Sequence, residues 1–287
     1  MAMSLEQADR IVQALWDEDV KSWQMHWVPI FSKFAHDLVT IAQISDGQLV
    51  LDVGTGTGIA AIEAAKSATP HGFVFGIDRS QPILSIAKSS CTKKGPRNVR
   101  FLLMDTRSVQ FPDGLFDNVI SNCGISFQDF NKTVAQLFRV LRHGASLTYN
   151  HWHLKEVPVH RMFGEILQQH RTGKPSNKLQ TQRKALATLE RYGNWNMNLE
   201  TQIRELNRIG FTSTRVKRKN YRISLSNVNE FLKMRFSRAP LQQELRELSD
   251  LKRTELYNAL RDGLQEFTVN KRFRFEWKVT FVRAIKL

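Results

Sequence analysis

Residues 50–58 read Val50-Leu51-Asp52-Val53-Gly54-Thr55-Gly56-Thr57-Gly58, an order that runs a buried strand straight into a turn with glycine at every second place. Such a turn lets the backbone bend sharply and approach a ligand with no Cβ in the way. Residues 59–67 read as a helix, so the ligand meets a helix N-terminus. The chemistry this suits is binding of a nucleotide-like molecule. A dinucleotide loop, G-x-G-x-x-G, would carry its third glycine or alanine at position 59, where this chain has Ile59; the third glycine comes one place early. Further strand ends repeat the pattern. Residues 72–77 are a short apolar run closed by Asp78-Arg79, twenty residues beyond Gly58, where a carboxylate can accept both hydroxyls of a ribose. Residues 99–104 end in Asp105-Thr106, and residues 116–122 end in Asn122. Taken singly, each acidic residue reads better as a helix cap or turn residue.

Asp-x-Gly-x-Gly-x-Gly after an apolar strand resembles motif I of the class I S-adenosylmethionine-dependent methyltransferases, and the ordered strand ends from about residue 22 to 150 resemble that family in layout. Residues 137–149 supply the helix, an Arg142-His143-Gly144 turn and the fifth strand; residues 206–211 resemble the helix end before a sixth strand, and residues 277–287 a seventh, antiparallel one. The resemblance implies a doubly wound α/β sheet of seven mostly parallel strands, with S-adenosylmethionine as cofactor. It implies cofactor contacts from Asp52, Gly54, Thr55, Gly56, Gly58, Asp78, Arg79, Asp105, Thr106 and Asn122, with Asp105 against the adenine amino group.

The elements outside this core bear on the acceptor. Two helices are expected over residues 5–16 and 22–43; the second carries Trp23, Trp27, Ile30, Phe31, Phe34, Leu38 and Ile41 at helical spacing. That stripe reads as core. In the family such helices also serve as a lid, which makes Trp23, His26 and Trp27 candidate substrate contacts. His151-Trp152-His153 follows the fifth strand, outside whose carboxyl end ligands of open α/β sheets bind. His151 is the candidate general base, in a place where quinone-biosynthesis methyltransferases, similar in layout, often carry an acidic residue; a histidine bonded to a loop carbonyl is the plain alternative. His153 is a further candidate substrate contact. The organisation expected is N-terminal lid helices over residues 1–45, a cofactor core over 46–153, a helical insertion over 154–205, the last two strands in 206–225 and 268–287, and a helical cap over 226–267. The cap stripe is Leu241, Leu245, Leu248, Leu256, Leu260 and Leu264. Two insertions forming a cap favour a small or lipid-like acceptor.

Composition bounds the alternatives. With 287 residues, 41% of them hydrophobic, the chain can bury one sizeable core, and it reads as one α/β domain with additions. No apolar run approaches the ~20 residues of a membrane span, and the early acidic residues do not match a signal peptide, so the cytoplasm is expected. Cys91 and Cys123 lack metal-ligand spacing and read as plain thiols; no metal site is expected. The net charge of +15 lies wholly in residues 151–287, where 28 Lys/Arg face 13 Asp/Glu. Its densest runs are 215–222 and 271–274. They read either as a surface for nucleic acid, anionic lipid or an acidic substrate, or as charges that blunt an exposed edge strand. Residues 121–124, Ser-Asn-Cys-Gly, lack the Asn/Asp-Pro-Pro-aromatic sequence common in base and glutamine N-methyltransferases, and a Pro-Cys nucleophile is absent. The reading is methyl transfer to oxygen or carbon of a small or lipid-like acceptor, with weak, non-specific nucleic-acid or anionic-surface binding in reserve. An RNA or protein methyltransferase recruited by the basic half is the first alternative, and a cofactor-binding protein without turnover the second.

Overall fold

The computed structural model describes residues 3–91, 95–125, 129–152, 157–192 and 197–287. It contains two compact units. The first comprises Val28–His151, Leu189–Lys217 and Thr280–Leu287; the second comprises Met1–Trp27, Trp152–Thr188 and Arg218–Val279.

The first unit is built around a mixed α/β sheet. Helix α3 (Val28–Ala42) leads into β1 (Leu49–Val53), α4 (Ile59–Ser67), β2 (Phe73–Asp78), α5 (Gln81–Cys91), β3 (Val99–Leu103), β4 (Phe116–Asn122), α6 (Phe130–Val140) and β5 (Leu141–Trp152). Helix α9 (Leu199–Ile209) precedes β6 (Phe211–Leu225), and the chain closes with β8 (Arg272–Lys286). The strand order is β3-β2-β1-β4-β5-β8-β6, with β1, β2, β3, β4 and β5 paired in parallel. This is the doubly wound order, and it brings the ends of β1, β2, β3 and β4 to one edge, where the order reverses. Leu51, Val53, Val119, Ile77 and Leu147 are fully buried, as parallel strands covered on both faces require. Tyr149 is buried with them and its hydroxyl donates to Gln202 at 2.9 Å.

The second unit is largely helical: α1 (Leu5–Glu18), α2 (Val20–His26), α7 (Pro158–His170), most of α8 (Asn177–Tyr192), α10 (Val228–Phe236), α11 (Ala239–Arg246) and α12 (Asp250–Gly263). The short β7 (Thr268–Val269) pairs antiparallel with the start of β8. Alternation along β8 buries Phe273, Phe275 and Trp277 and exposes Arg272, Arg274, Glu276 and Lys278. The rings join Phe163 and Phe231 in an aromatic core, with Phe231 5.0 Å from Phe273 and 6.0 Å from Phe163. Buried Glu244 is held by Arg183 at 2.6 Å and Arg171 at 3.2 Å.

Several boundaries differ from expectation. The helix expected over 22–43 is broken at Trp27, because Pro29 near the start of α3 has no N–H with which to continue the ladder of α2. The turn expected at residues 142–144 lies inside β5, as an irregularity where the register passes from Phe116↔Leu141 to Asn118↔Ser146 and Gly144 takes φ +79°. The last strand begins at Arg272 rather than Trp277, and with β7 the sheet has eight strands among the described residues rather than seven. Leu248, Leu256, Leu260 and Leu264 of the expected cap stripe are buried, whereas Leu241 and Leu245 are half-buried.

Candidate functional site

The glycine loop sits in the first unit between β1 and α4. All three glycines adopt positive φ: Gly54 +63°, Gly56 +56° and Gly58 +82°. Their reasons differ. A Cβ at Gly54 would lie 2.7 Å from the Cα of Gly124, so the ends of β1 and β4 pass each other at backbone distance. A Cβ at Gly58 would lie 2.7 Å from the Phe101 ring, whereas one at Gly56 would meet nothing closer than Ile83, at 3.7 Å. Gly54 and Gly58 are thus packing glycines, and Gly56 leaves the turn open on its ligand side.

Asp52 is fully buried and shapes the loop: its carboxylate accepts the Thr55 hydroxyl at 2.6 Å, while the Thr55 amide donates to the Ile77 carbonyl at 2.9 Å. Burial pushes the Asp52 carboxyl up to about 7, against the pull of its hydrogen bonds. The Ala61 amide is a second hydrogen-bonding group on that carboxyl. Asp78 ends β2 and accepts the Gly56 amide at 2.9 Å and the Ser80 amide at 3.0 Å. Burial raises its carboxyl above the ordinary range, opposed by those two amides and by the charge and amide of Arg79. A carboxylate offers about four acceptor sites, so these amides, with that of Arg79, leave it acceptor capacity. Arg79 beside it is exposed.

Asp105 has a partner that the sequence reading did not assign. Arg107 clasps its carboxylate through Nε at 3.0 Å and a terminal nitrogen at 2.6 Å, donates its backbone amide to it at 2.8 Å, and also reaches Asp129 at 3.2 Å. Burial pulls the Asp105 carboxyl upward, but the Arg107 bonds and charge outweigh it and hold the group below the ordinary range. Thr106 is half-buried. At the end of β4, the Asn122 amide donates to the Phe31 carbonyl at 3.3 Å, and its oxygen accepts from Asn150 at 2.9 Å. Asn150 also accepts the Cys123 amide at 2.8 Å and the Cys123 thiol at 3.0 Å. This lock fixes Cys123 at φ +58° and delivers Gly124 against Gly54; it too was not read from the sequence. Burial raises the Cys123 thiol, which therefore stays protonated.

The remaining candidates are dispersed. His151 ends the first unit's part of β5, buried, with its ring 6.4 Å from that of Tyr149 on the opposite face of the strand from Asn150. Trp23, His26 and Trp27 belong to the second unit. There Trp27 is buried, with Trp23 stacked on it at 5.6 Å and Trp277 at 6.0 Å, while His26 is half-buried. His153 lies outside the described residues. No His/Cys/Asp/Glu cluster among the described residues could hold a metal, and no described helix is long and apolar enough to cross a membrane. In the basic run, residues 215–218 are exposed on β6, the last strand in the sheet order, where edge-blunting charges belong.

A reversing parallel sheet, a loop of positive-φ glycines and an acidic residue at the end of β2 define an α/β protein built to hold an adenosine-type cofactor. The comparisons name the class further. Residues 44–209 match the family described as "Methyltransferase domain", and the chain belongs to the class I S-adenosylmethionine-dependent methyltransferases. It is 28% identical over 141 residues to the aklanonic acid methyltransferase DauC of Streptomyces sp. strain C5, across 49% of this chain and 64% of that protein. Over 99 residues it is 39% identical to the demethylmenaquinone methyltransferase of Thermus thermophilus, across 34% of this chain and 44% of that one. The matched stretches thus span about half the length of these relatives. In fold it is similar to the YcgJ protein of Bacillus subtilis, with a TM-score of 0.54, 18% identity, and coverage of 88% of this chain and 98% of that one.

The residues present fit the family's cofactor: Asp78 keeps acceptor capacity for a ribose, and the Gly56 turn is open.

Proposed function

We propose that the protein transfers a methyl group from S-adenosylmethionine to an oxygen or carbon of a small or lipid-like acceptor. The observation that carries the reading is the tie between Asp78 and the Gly56 amide, which sets a ribose-binding carboxylate against the open turn of the glycine loop. The names of the relatives, with aklanonic acid and demethylmenaquinone as acceptors, support a small one. In this reading the Asp78 carboxylate accepts the ribose hydroxyls, Asp105 accepts the adenine amino group, and Arg107 keeps Asp105 ionised for that task. Arg79, Thr106 and Asn122 line the same strand ends. S-adenosylmethionine supplies an activated methyl on a sulfonium, so the protein's remaining work is to orient the acceptor and exclude water. His151 is proposed as the acceptor's base.

The test is incubation with methyl-tritiated S-adenosylmethionine and a panel of hydroxyquinones, phenols, RNA and protein. Label extracted with the quinone or phenol is the expected result. Label found only in RNA or protein would replace this reading with the one in which the basic runs recruit a polymer.

A further inference from the structure

Two arginines close together in the second unit are treated differently. Arg238 is paired, with Nε 3.0 Å from the Asp19 carboxylate and its guanidinium 3.9 Å from the centre of the Trp16 ring. Arg235, at the end of α10, is half-buried, and the charge acting on it is that of Arg238 rather than of a carboxylate. Its guanidinium lies 4.6 Å over the ring of Phe163, and its Nε is buried without a hydrogen-bond partner among the described residues. The charge of Arg235 acts on His160 of α7, which is only 5% exposed and whose Nδ1 and Nε2 both lack partners among the described residues. Around that imidazole stand Trp277 at 5.1 Å, Phe231 at 5.5 Å and Phe275 at 5.6 Å. Burial first, and Arg235 second, hold its pKa well below the usual value, so the ring is neutral and offers one N–H donor and one acceptor.

Packing alone does not account for this arrangement. Buried polar groups without partners and cations without counter-ions cost free energy that apolar side chains of similar volume would not. The groups are complementary to a ligand with two properties: a negatively charged oxygen to meet a guanidinium N–H and an imidazole N–H, and a flat apolar body to lie among rings. An inorganic anion would use the first and leave the rings idle. A neutral aromatic compound would use the second and leave Arg235 uncompensated.

We infer that Arg235 and His160 bind the anionic oxygen of a flat aromatic small molecule, a phenolate, enolate or carboxylate on a ring system. This goes beyond the proposed function and does not rest on it: every group named belongs to the second unit.

The test uses the full chain and tryptophan fluorescence, since Trp277 adjoins the site. The probes are 2-hydroxy-1,4-naphthoquinone, an anion at neutral pH, and uncharged 1,4-naphthoquinone. The expected result is tighter binding of the anion by about tenfold or more, a preference that Arg235→Met and His160→Phe each reduce by about tenfold while Arg235→Lys retains part of it. Both apolar variants should unfold no earlier than the parent, because they remove unpartnered polar groups, and both should bind S-adenosylhomocysteine unchanged by calorimetry. Equal binding of the two quinones, no quenching by the anion at millimolar concentration, or an anion preference that survives Arg235→Met would overturn the inference. So would earlier unfolding of the apolar variants, which would mark the two residues as structural. If the parent binds the anion but transfers no methyl group to any acceptor, the proposed function fails and this site stands.

Discussion

Alanine at position 58 should cost the fold about 2 to 4 kcal/mol, and the structure shows where the cost arises. Gly58 caps α4 with φ +82°, a left-handed conformation that costs an alanine about 1 kcal/mol or somewhat more. The new Cβ would also stand 2.7 Å from the Phe101 ring and 3.2 Å from the Cβ of Ala87, and overpacking of this kind adds about 1 to 3 kcal/mol. Gly56 provides the control. Its φ of +56° carries the same backbone strain, but a Cβ there meets only Ile83 at 3.7 Å, so Gly56→Ala should cost the fold about 1 kcal/mol. Urea unfolding of both variants gives the comparison. Because the clash is with a ring rather than with backbone, Phe101→Leu should relieve it, and the double variant Gly58→Ala with Phe101→Leu should be about 1 to 2 kcal/mol more stable than the sum of the single effects. A Gly58→Ala variant no less stable than Gly56→Ala, or zero coupling to position 101, would show that Phe101 does not dictate the third glycine.

Asp78→Ala removes the acceptor that serves Gly56 and, in the proposed reading, the ribose; calorimetry with S-adenosylhomocysteine should show binding weakened by about 1 to 3 kcal/mol, and unchanged affinity would dismiss Asp78 as a cofactor residue. Asp52 should make stability depend on pH. Its pKa is raised on folding, from 3.8 to about 7, so its favourable contribution is full below about pH 4 and is lost as pH rises through 7. Asp52→Asn stays neutral and keeps an acceptor for Thr55, so its melting temperature relative to the parent should be higher at pH 8 than at pH 5; an equal difference at the two pH values refutes the assignment. Glu244→Gln leaves Arg183 and Arg171 without their shared buried carboxylate and should destabilise the protein by about 3 kcal/mol in denaturant unfolding, whereas a loss below about 1 kcal/mol would mean the pair behaves as a surface bridge.

The sequence was most legible where one short segment contains its own reason. α4 and β4 have the bounds expected of them, and β1 ends at Val53 as expected though it starts one residue earlier, at Leu49, because an apolar run ending in glycines or in a polar residue states both its period and its stop. The N-terminal helices were less so, since an amphipathic stripe continues through Trp27 and only Pro29 marks the break. The start of β8 was hidden by its own charge: Arg272, Arg274, Glu276 and Lys278 alternate with Phe273, Phe275 and Trp277 in strand period, yet read along the chain the first of them look like a basic run. At the site, every partner missed is a fact of register or of tertiary approach. Asn150 and Asn122 are paired by the alignment of β5 on β4, and Arg107 folds back onto Asp105 within a loop that has no period to read. His160 and Arg235 lie on α7 and α10, and nothing in either helix alone distinguishes them from ordinary polar positions. What marks them is that folding buries the His160 imidazole and the Arg235 Nε without a hydrogen-bond partner among the described residues. That property belongs to the pair in its surroundings, so a sequence can name a glycine loop, whereas a buried imidazole beside a guanidinium appears only when the strands and helices around them have been placed.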